Sequence, residues 1–165
     1  VDMKTGIPIK EFSGLSGMNK SMAAPPTATD TNADGYIDKV YIGDLKGQMW
    51  LFNVSDNDTT KWTGQTLFKA PDNHPIYYQP AVAFDKHGTP WVYFGTGDED
   101  NPTDTSGPSQ RFYAVEDDGL GNYPRQENDL KDVTSVNTFS QDMTTKGWFI
   151  PLKDRMSPSL NSRQT

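Results

Sequence analysis

Two stretches of the chain repeat the same order of residues, and this repeat limits the available folds more than any other feature. The first runs Pro26-Thr27-Ala28-Thr29-Asp30, then Gly35, then Val40-Tyr41-Ile42-Gly43. The second runs Pro80-Ala81-Val82-Ala83-Phe84-Asp85, then Gly88, then Val92-Tyr93-Phe94-Gly95, offset by 52 to 55 residues. Each copy leads into an aromatic segment, 49–54 in the first and 112–115 in the second. Val, Ile, Tyr, Phe and Trp fill these short segments, as half-buried pleated surfaces favour.

Helical periodicity is weak throughout, and the Gly and Pro residues scattered along the chain break helices. Strands are predicted at 37–42, 49–54, 80–84, 90–95, 111–115 and 148–152. Residues 40–44, the turn Leu45-Lys46-Gly47 and residues 48–52 read as a hairpin. The corresponding turn in the second copy swells into a long loop, 96–110. Residues 1–6 read as the outgoing edge of a preceding unit, and 148–152 as the start of another. A β-repeat of about 40–55 residues suggests propeller blades, and a ring needs about four to eight of them. The expected fold is therefore all-β, with propeller-like blades in an incomplete ring. Residues 1–165 are expected to form a single fragment of about three blades, cut from a longer exported protein.

The first repeat holds the sharpest chemical signal. Asp30-Thr31-Asn32-Ala33-Asp34-Gly35-Tyr36-Ile37-Asp38 reads D-x-N-x-D-G-x-x-D. Calcium takes about six to eight oxygen ligands, and carboxylate or amide oxygens at positions 1, 3 and 5 converge when the chain curls around it. Gly35 permits the sharp turn at position 6. Asp30, Asn32, Asp34, the backbone carbonyl of Tyr36 and the carboxylate of Asp38 are the expected metal ligands, with Ile37 anchoring the loop to the core. A helix-flanked EF-hand places a bidentate Glu at position 12. Here that position is Tyr41, inside a predicted strand. The motif is thus an EF-hand-like loop on a hairpin, with Ca2+ affinity expected on the order of 10⁻⁶ to 10⁻⁴ M.

Composition narrows the partners. A net charge of -7 makes nucleic acid and anionic membrane surfaces poor partners and cations natural ones. No Cys is present, which excludes disulfides and thiolate metal sites. No apolar run reaches the ~18 residues of a membrane helix, so no membrane insertion is expected. His74 and His87 read as surface loop residues. Trp50, Trp62, Trp91 and Trp148 read as blade core. The acidic run 98–104 reads as a solvated loop with a weaker claim to a second cation. No nucleophile elbow, H-E-x-x-H pair or phosphate loop occurs, so no enzyme activity is expected.

The acidic loop running into Lys39-Val40-Tyr41-Ile42-Gly43-Asp44-Leu45-Lys46-Gly47-Gln48-Met49-Trp50-Leu51-Phe52 resembles the C-terminal domain of PilY/PilC-type proteins, the type IV pilus tip-associated adhesins and biogenesis factors of bacteria. Val92-Tyr93-Phe94-Gly95-Thr96-Gly97, Arg111-Phe112-Tyr113-Ala114-Val115 and Lys146-Gly147-Trp148-Phe149-Ile150-Pro151-Leu152 extend the resemblance. It implies a modified β-propeller similar to quinoprotein dehydrogenases. It also implies a calcium loop governing pilus extension and retraction, at Asp30, Asn32, Asp34, Asp38 and the carbonyl of Tyr36. Pilin or other pilus-tip proteins, or a host or surface receptor, are the implied partners. The implied location is the bacterial surface, at the pilus tip or outer membrane. Two other readings stand beside this one: a fragment of a quinoprotein-type dehydrogenase, and a structural adhesin domain stapled by calcium without switching.

Overall fold

The computed structural model describes residues 2, 4–98, 107–135 and 145–152. The apolar repeats form two antiparallel sheets. In the first, β1 (Thr27–Thr29), β2 (Lys39–Gly43), β3 (Gln48–Asn53) and β4 (Thr63–Lys69) follow one another as a meander. In the second, β5 (Ala81–Phe84), β6 (Pro90–Gly95) and β7 (Arg111–Glu116) do the same. Its fourth antiparallel strand, β10 (Gly147–Pro151), pairs with β7. Two short strands between β7 and β10 tie the outer edges together. β8 (Arg125–Gln126) lies parallel to β4 in the first sheet, and β9 (Lys131–Asp132) lies parallel to β10 in the second. No α-helix occurs among the described residues. The fold is all-β and propeller-like, with the two sheets not closed into a ring.

Six of these strands coincide with the predicted segments. β4 escaped prediction because Thr63-Gly64-Gln65-Thr66 puts polar residues and Gly where a strand pattern would show apolar ones. β8 and β9 are two residues each, too short to carry a period.

Aromatic packing holds the two sheets together. Tyr113 stands 4.8 Å from Phe68 and 5.3 Å from Phe94, centroid to centroid, with Phe149 at 6.0 Å on its other side. Tyr41, Met49, Leu51 and Leu67 complete this buried layer from the first sheet, and Val92 and Val115 from the second. Each such side chain contributes about 1.5–3 kcal/mol by leaving water.

Strand register shows which faces meet. Tyr41 pairs with Thr27 on β1, and Tyr93 pairs with Ala81 on β5. The two tyrosines therefore hold equivalent places in the repeat. Yet Tyr41 is buried in the seam, whereas Tyr93 lies half-buried on the far face of the second sheet. There it meets Trp148 at 6.3 Å, and Trp148 meets Phe112 at 6.0 Å. The front of the first sheet thus packs on the back of the second. The back of the first sheet is covered by the segment before β1. Phe12 packs tilted against Phe52 at 4.6 Å, and Leu15 presses on Gly64 so closely that a Cβ there would stand 2.6 Å from its Cδ1.

Candidate functional site: the β1–β2 loop and its seam

Equivalent turns in the two sheets differ sharply. In the second sheet, Asp85 closes a tight turn: its Oδ1 accepts from the amides of His87 and Thr89 at 2.8 and 2.9 Å. The turn between β2 and β3 uses the same design, with Asp44 Oδ1 accepting from Lys46 N and Gln48 N at 2.9 Å each. Asp44 is fully buried, and its Oδ2 also takes the Gln48 Nε2 and Trp50 Nε1 donors at 2.8 and 2.9 Å.

The β1–β2 connection replaces that short turn with nine residues, 30–38. Short polar side chains that bond their own backbone curl it. Asp30 Oδ1 accepts from Asn32 N at 3.2 Å and Ala33 N at 2.7 Å, and Oδ2 accepts from Gly35 N at 2.7 Å. Asn32 Oδ1 accepts from Asp34 N, and Asp34 Oδ1 from Tyr36 N, each at 2.9 Å. Gly35 sits at φ 91°, in the left-handed region the motif predicts. The Gly35 amide is the main cause holding the Asp30 carboxyl below its ordinary range.

Asp38 ends the loop and is buried. Its backbone is pinned on both sides, with Asp38 N donating to Thr29 O at 2.9 Å and Val54 N donating to Asp38 O at 2.7 Å. Its Oδ2 accepts from the amide and hydroxyl of Thr31, at 2.8 and 2.6 Å. Asp34, Tyr36 and Asp38 line one cavity of about 240 Å³ with residues 54–57 and Trp62, while Asp30 and Asn32 do not line it. Ile37 is 45% exposed and makes no core anchor, because the curl turns it outward with Tyr36. Among the described residues, no three His, Cys, Asp or Glu side chains gather as a metal cluster. The loop's carboxylates bond backbone amides and Thr31 instead. Residues 99–104 of the acidic run 98–104 lie outside the described residues.

The residue after Asp38 leads to a network that sequence reasoning missed. Lys39 Nζ lies 2.8 Å from Asp117 Oδ2, and Tyr41 Oη donates to the same oxygen at 2.8 Å. Tyr123 Oη donates to Asp117 Oδ1 at 2.8 Å. The Asp117 side chain is fully buried. Beside it, Asp118 meets Arg125 at 2.6 Å and Lys146 at 2.8 Å. Burial first, and the Asp117 charge second, push the Tyr41 phenol well above its usual range. The only local sign was the acidic run Glu116-Asp117-Asp118 at a strand end, and its partners lie up to 78 residues away. His74 also departs from expectation. It is buried, with Nδ1 2.9 Å from Asp72 O and Nε2 3.2 Å from Ser109 O, so its ring ties two loops together.

Fold and loop together define an open piece of a β-propeller bearing an Asp/Asn-rich loop at one blade turn. Comparison with known proteins gives that class a family. The chain is 30% identical over 162 residues to the type IV pilus biogenesis factor PilY1 of Pseudomonas aeruginosa strain UCBPP-PA14, covering 89% of this chain and 13% of that protein. A PilY1 homolog of Xylella fastidiosa is 29% identical over 163 residues, covering 88% of this chain and 12% of that protein. Among solved structures, the C-terminal domain of Pseudomonas aeruginosa PilY1 superposes with a TM-score of 0.61 at 23% identity, over 78% of this chain and 38% of that one. No protein-family model matches the chain. The chain is a homologue of the PilY1-type pilus biogenesis factors and corresponds to part of their C-terminal domain. It spans about an eighth of the length of these curated relatives (12–13%).

Proposed function

We propose that this chain is a calcium-binding, non-catalytic module of a type IV pilus biogenesis or adhesion protein, exported to the bacterial surface, and that loop 30–38 is its metal site. The observation that carries the metal reading is the inward curl of the loop. Asp30 sits inside it, taking the amides of Asn32, Ala33 and Gly35. A loop so curled already holds the Asp30 carboxylate toward its own interior. The donor set suits a hard cation: the carboxylates of Asp30, Asp34 and Asp38, the Asn32 amide oxygen and the Tyr36 carbonyl. Asp38 joins it by releasing Thr31. Bound calcium would supply an electrostatic cross-link between the exposed polar loop and the buried residue before β2.

The pilus reading rests on the likeness to PilY1 proteins, with other pilus components as partners. In this reading calcium favours one arrangement of loop 30–38 over another. At 100 times its dissociation constant it stabilises the bound form by about 2.7 kcal/mol, enough to bias a modest equilibrium.

Calorimetric titration of the chelator-treated chain tests the site. One site is expected in the wild type, with a dissociation constant on the order of 10⁻⁶ to 10⁻⁴ M. None is expected in the Asp34→Ala, Asp38→Ala double variant. Absence of heat and of any melting shift up to millimolar calcium removes the metal from the function.

A further inference from the structure

The charged bracket across the seam begins one residue after the loop ends. Asp38 is the last proposed ligand. Lys39, next in the chain, reaches Asp117 of the second sheet at 2.8 Å, and Tyr41, two residues further on the same face of β2, reaches the same oxygen at 2.8 Å. Tyr123 holds the other oxygen, and the Asp117 amide donates to Pro90 O at 2.9 Å. Asp117 is thus fixed from four directions, and it fixes the strand leaving the loop.

Blade construction alone does not require this bracket. Lys39 pairs with Thr29 on β1, and its equivalent in the second sheet, paired with Ala83 on β5, is Trp91. The lysine appears in the sheet whose turn is the long acidic loop, and the tryptophan in the sheet whose turn is short. Lys39 also brings a full positive charge next to a proposed cation site, which would weaken that site if the charge stood alone. Asp117 neutralises that charge at 2.8 Å.

We infer that Lys39 and Asp117 are positioning residues for the metal loop: their ion pair across the sheet seam fixes the start of β2, so that the Asp38 backbone stays in place while its side chain exchanges Thr31 for the cation. The inference rests on the calcium reading above. A ligand held in place beforehand loses less freedom on binding, so loosening its support lowers affinity without removing a ligand. Coupling is reciprocal, so calcium in turn strengthens the seam between the sheets.

The test is calcium affinity by calorimetry in the whole chain, for Lys39→Met, Lys39→Arg and Asp117→Asn, with near-ultraviolet circular dichroism to confirm folding. Lys39→Met and Asp117→Asn are each expected to weaken calcium about five-fold or more, and Lys39→Arg to restore wild-type affinity. A positioning pair moves both variants the same way. A purely electrostatic effect moves them oppositely, because Lys39→Met removes a repelling charge while Asp117→Asn exposes one. That opposite pattern overturns the inference, as does wild-type affinity in a folded Lys39→Met. Should Asp117→Asn fail to fold, Lys39→Met with its arginine rescue decides alone. Should the wild type bind no calcium, the metal reading falls first and this inference with it. Unchanged affinity in the variants, by contrast, leaves the metal reading standing.

Discussion

The β1–β2 loop and the β5–β6 turn occupy the same place in two copies of one repeat, and they solve different problems. Asp85 closes its turn with two side-chain hydrogen bonds beside two backbone ones, and the chain reverses in five residues. The β1–β2 loop takes nine residues for the same reversal and leaves most of them exposed. What a blade needs is therefore visible in the second sheet, and what exceeds that need in the first is free to serve function. The β2–β3 turn is a third case. It uses the Asp85 design but is buried, with four donors on Asp44.

The largest expected effect separates the buried turn from the exposed one. Asp44→Ala strands four donors, two of them side chains in the core, and should cost about 3–5 kcal/mol in urea unfolding. Asp85→Ala should cost a small fraction of that. Equal losses at the two positions would break the comparison. Next come the turn glycines, both at positive φ (83° at Gly47, 80° at Gly88). A Cβ at Gly47 would stand 2.5 Å from His74 O, whereas Gly88 has open space around it. Gly47→Ala should cost about 3 kcal/mol or more, and Gly88→Ala about 1 kcal/mol, by thermal or urea melts.

The tyrosine pair sharpens the comparison further. Tyr41→Phe removes a hydrogen bond to a buried carboxylate and should cost about 1.5–3 kcal/mol, while Tyr93→Phe should change little. Tyr41 also predicts a pH dependence. Its folded pKa is raised, so its contribution is complete below the unfolded tyrosine value of about 10 and is lost as pH climbs toward the folded value. The wild type should therefore lose stability above pH ~10 more steeply than Tyr41→Phe. The smallest effect is expected from exchanging loops. Replacing residues 30–37 with residues 84–89 should change calcium-free stability by about 1 kcal/mol or less, while abolishing the calcium-induced rise in melting temperature. A large loss without calcium would mean that the long loop serves the blade itself.

The repeat was legible because each copy carries its signal within a few residues: Pro and Asp at the turn, then V-Y-x-G on the strand. The inward curl of Asp30 and the left-handed Gly35 followed from the same local chemistry. Ile37 was misread because an apolar residue in a loop motif suggests a core contact, and only the curl decides which way it faces. β4 was hidden by its polar start, although Leu67 and Phe68 at its end are fully buried. The Asp117 bracket was hidden for another reason. Its members are ordinary residues singly, and only the stacking of one sheet on the next brings Lys39, Tyr41 and Tyr123 to one carboxylate.

That stacking has a direction. The face bearing Tyr41 fits the back of the sheet that follows, and the face bearing Tyr93 is its equivalent one step on. A contact between unlike faces propagates rather than cancels, and it ends only when the series closes on itself or is plugged. Phe12 and Leu15 cover the back face of the first sheet. On the second sheet, Tyr93, Phe112 and Trp148 form the face equivalent to the one bearing Tyr41. Order along the polypeptide thereby fixes which face meets which, and a sheet inserted in reverse would set like face against like.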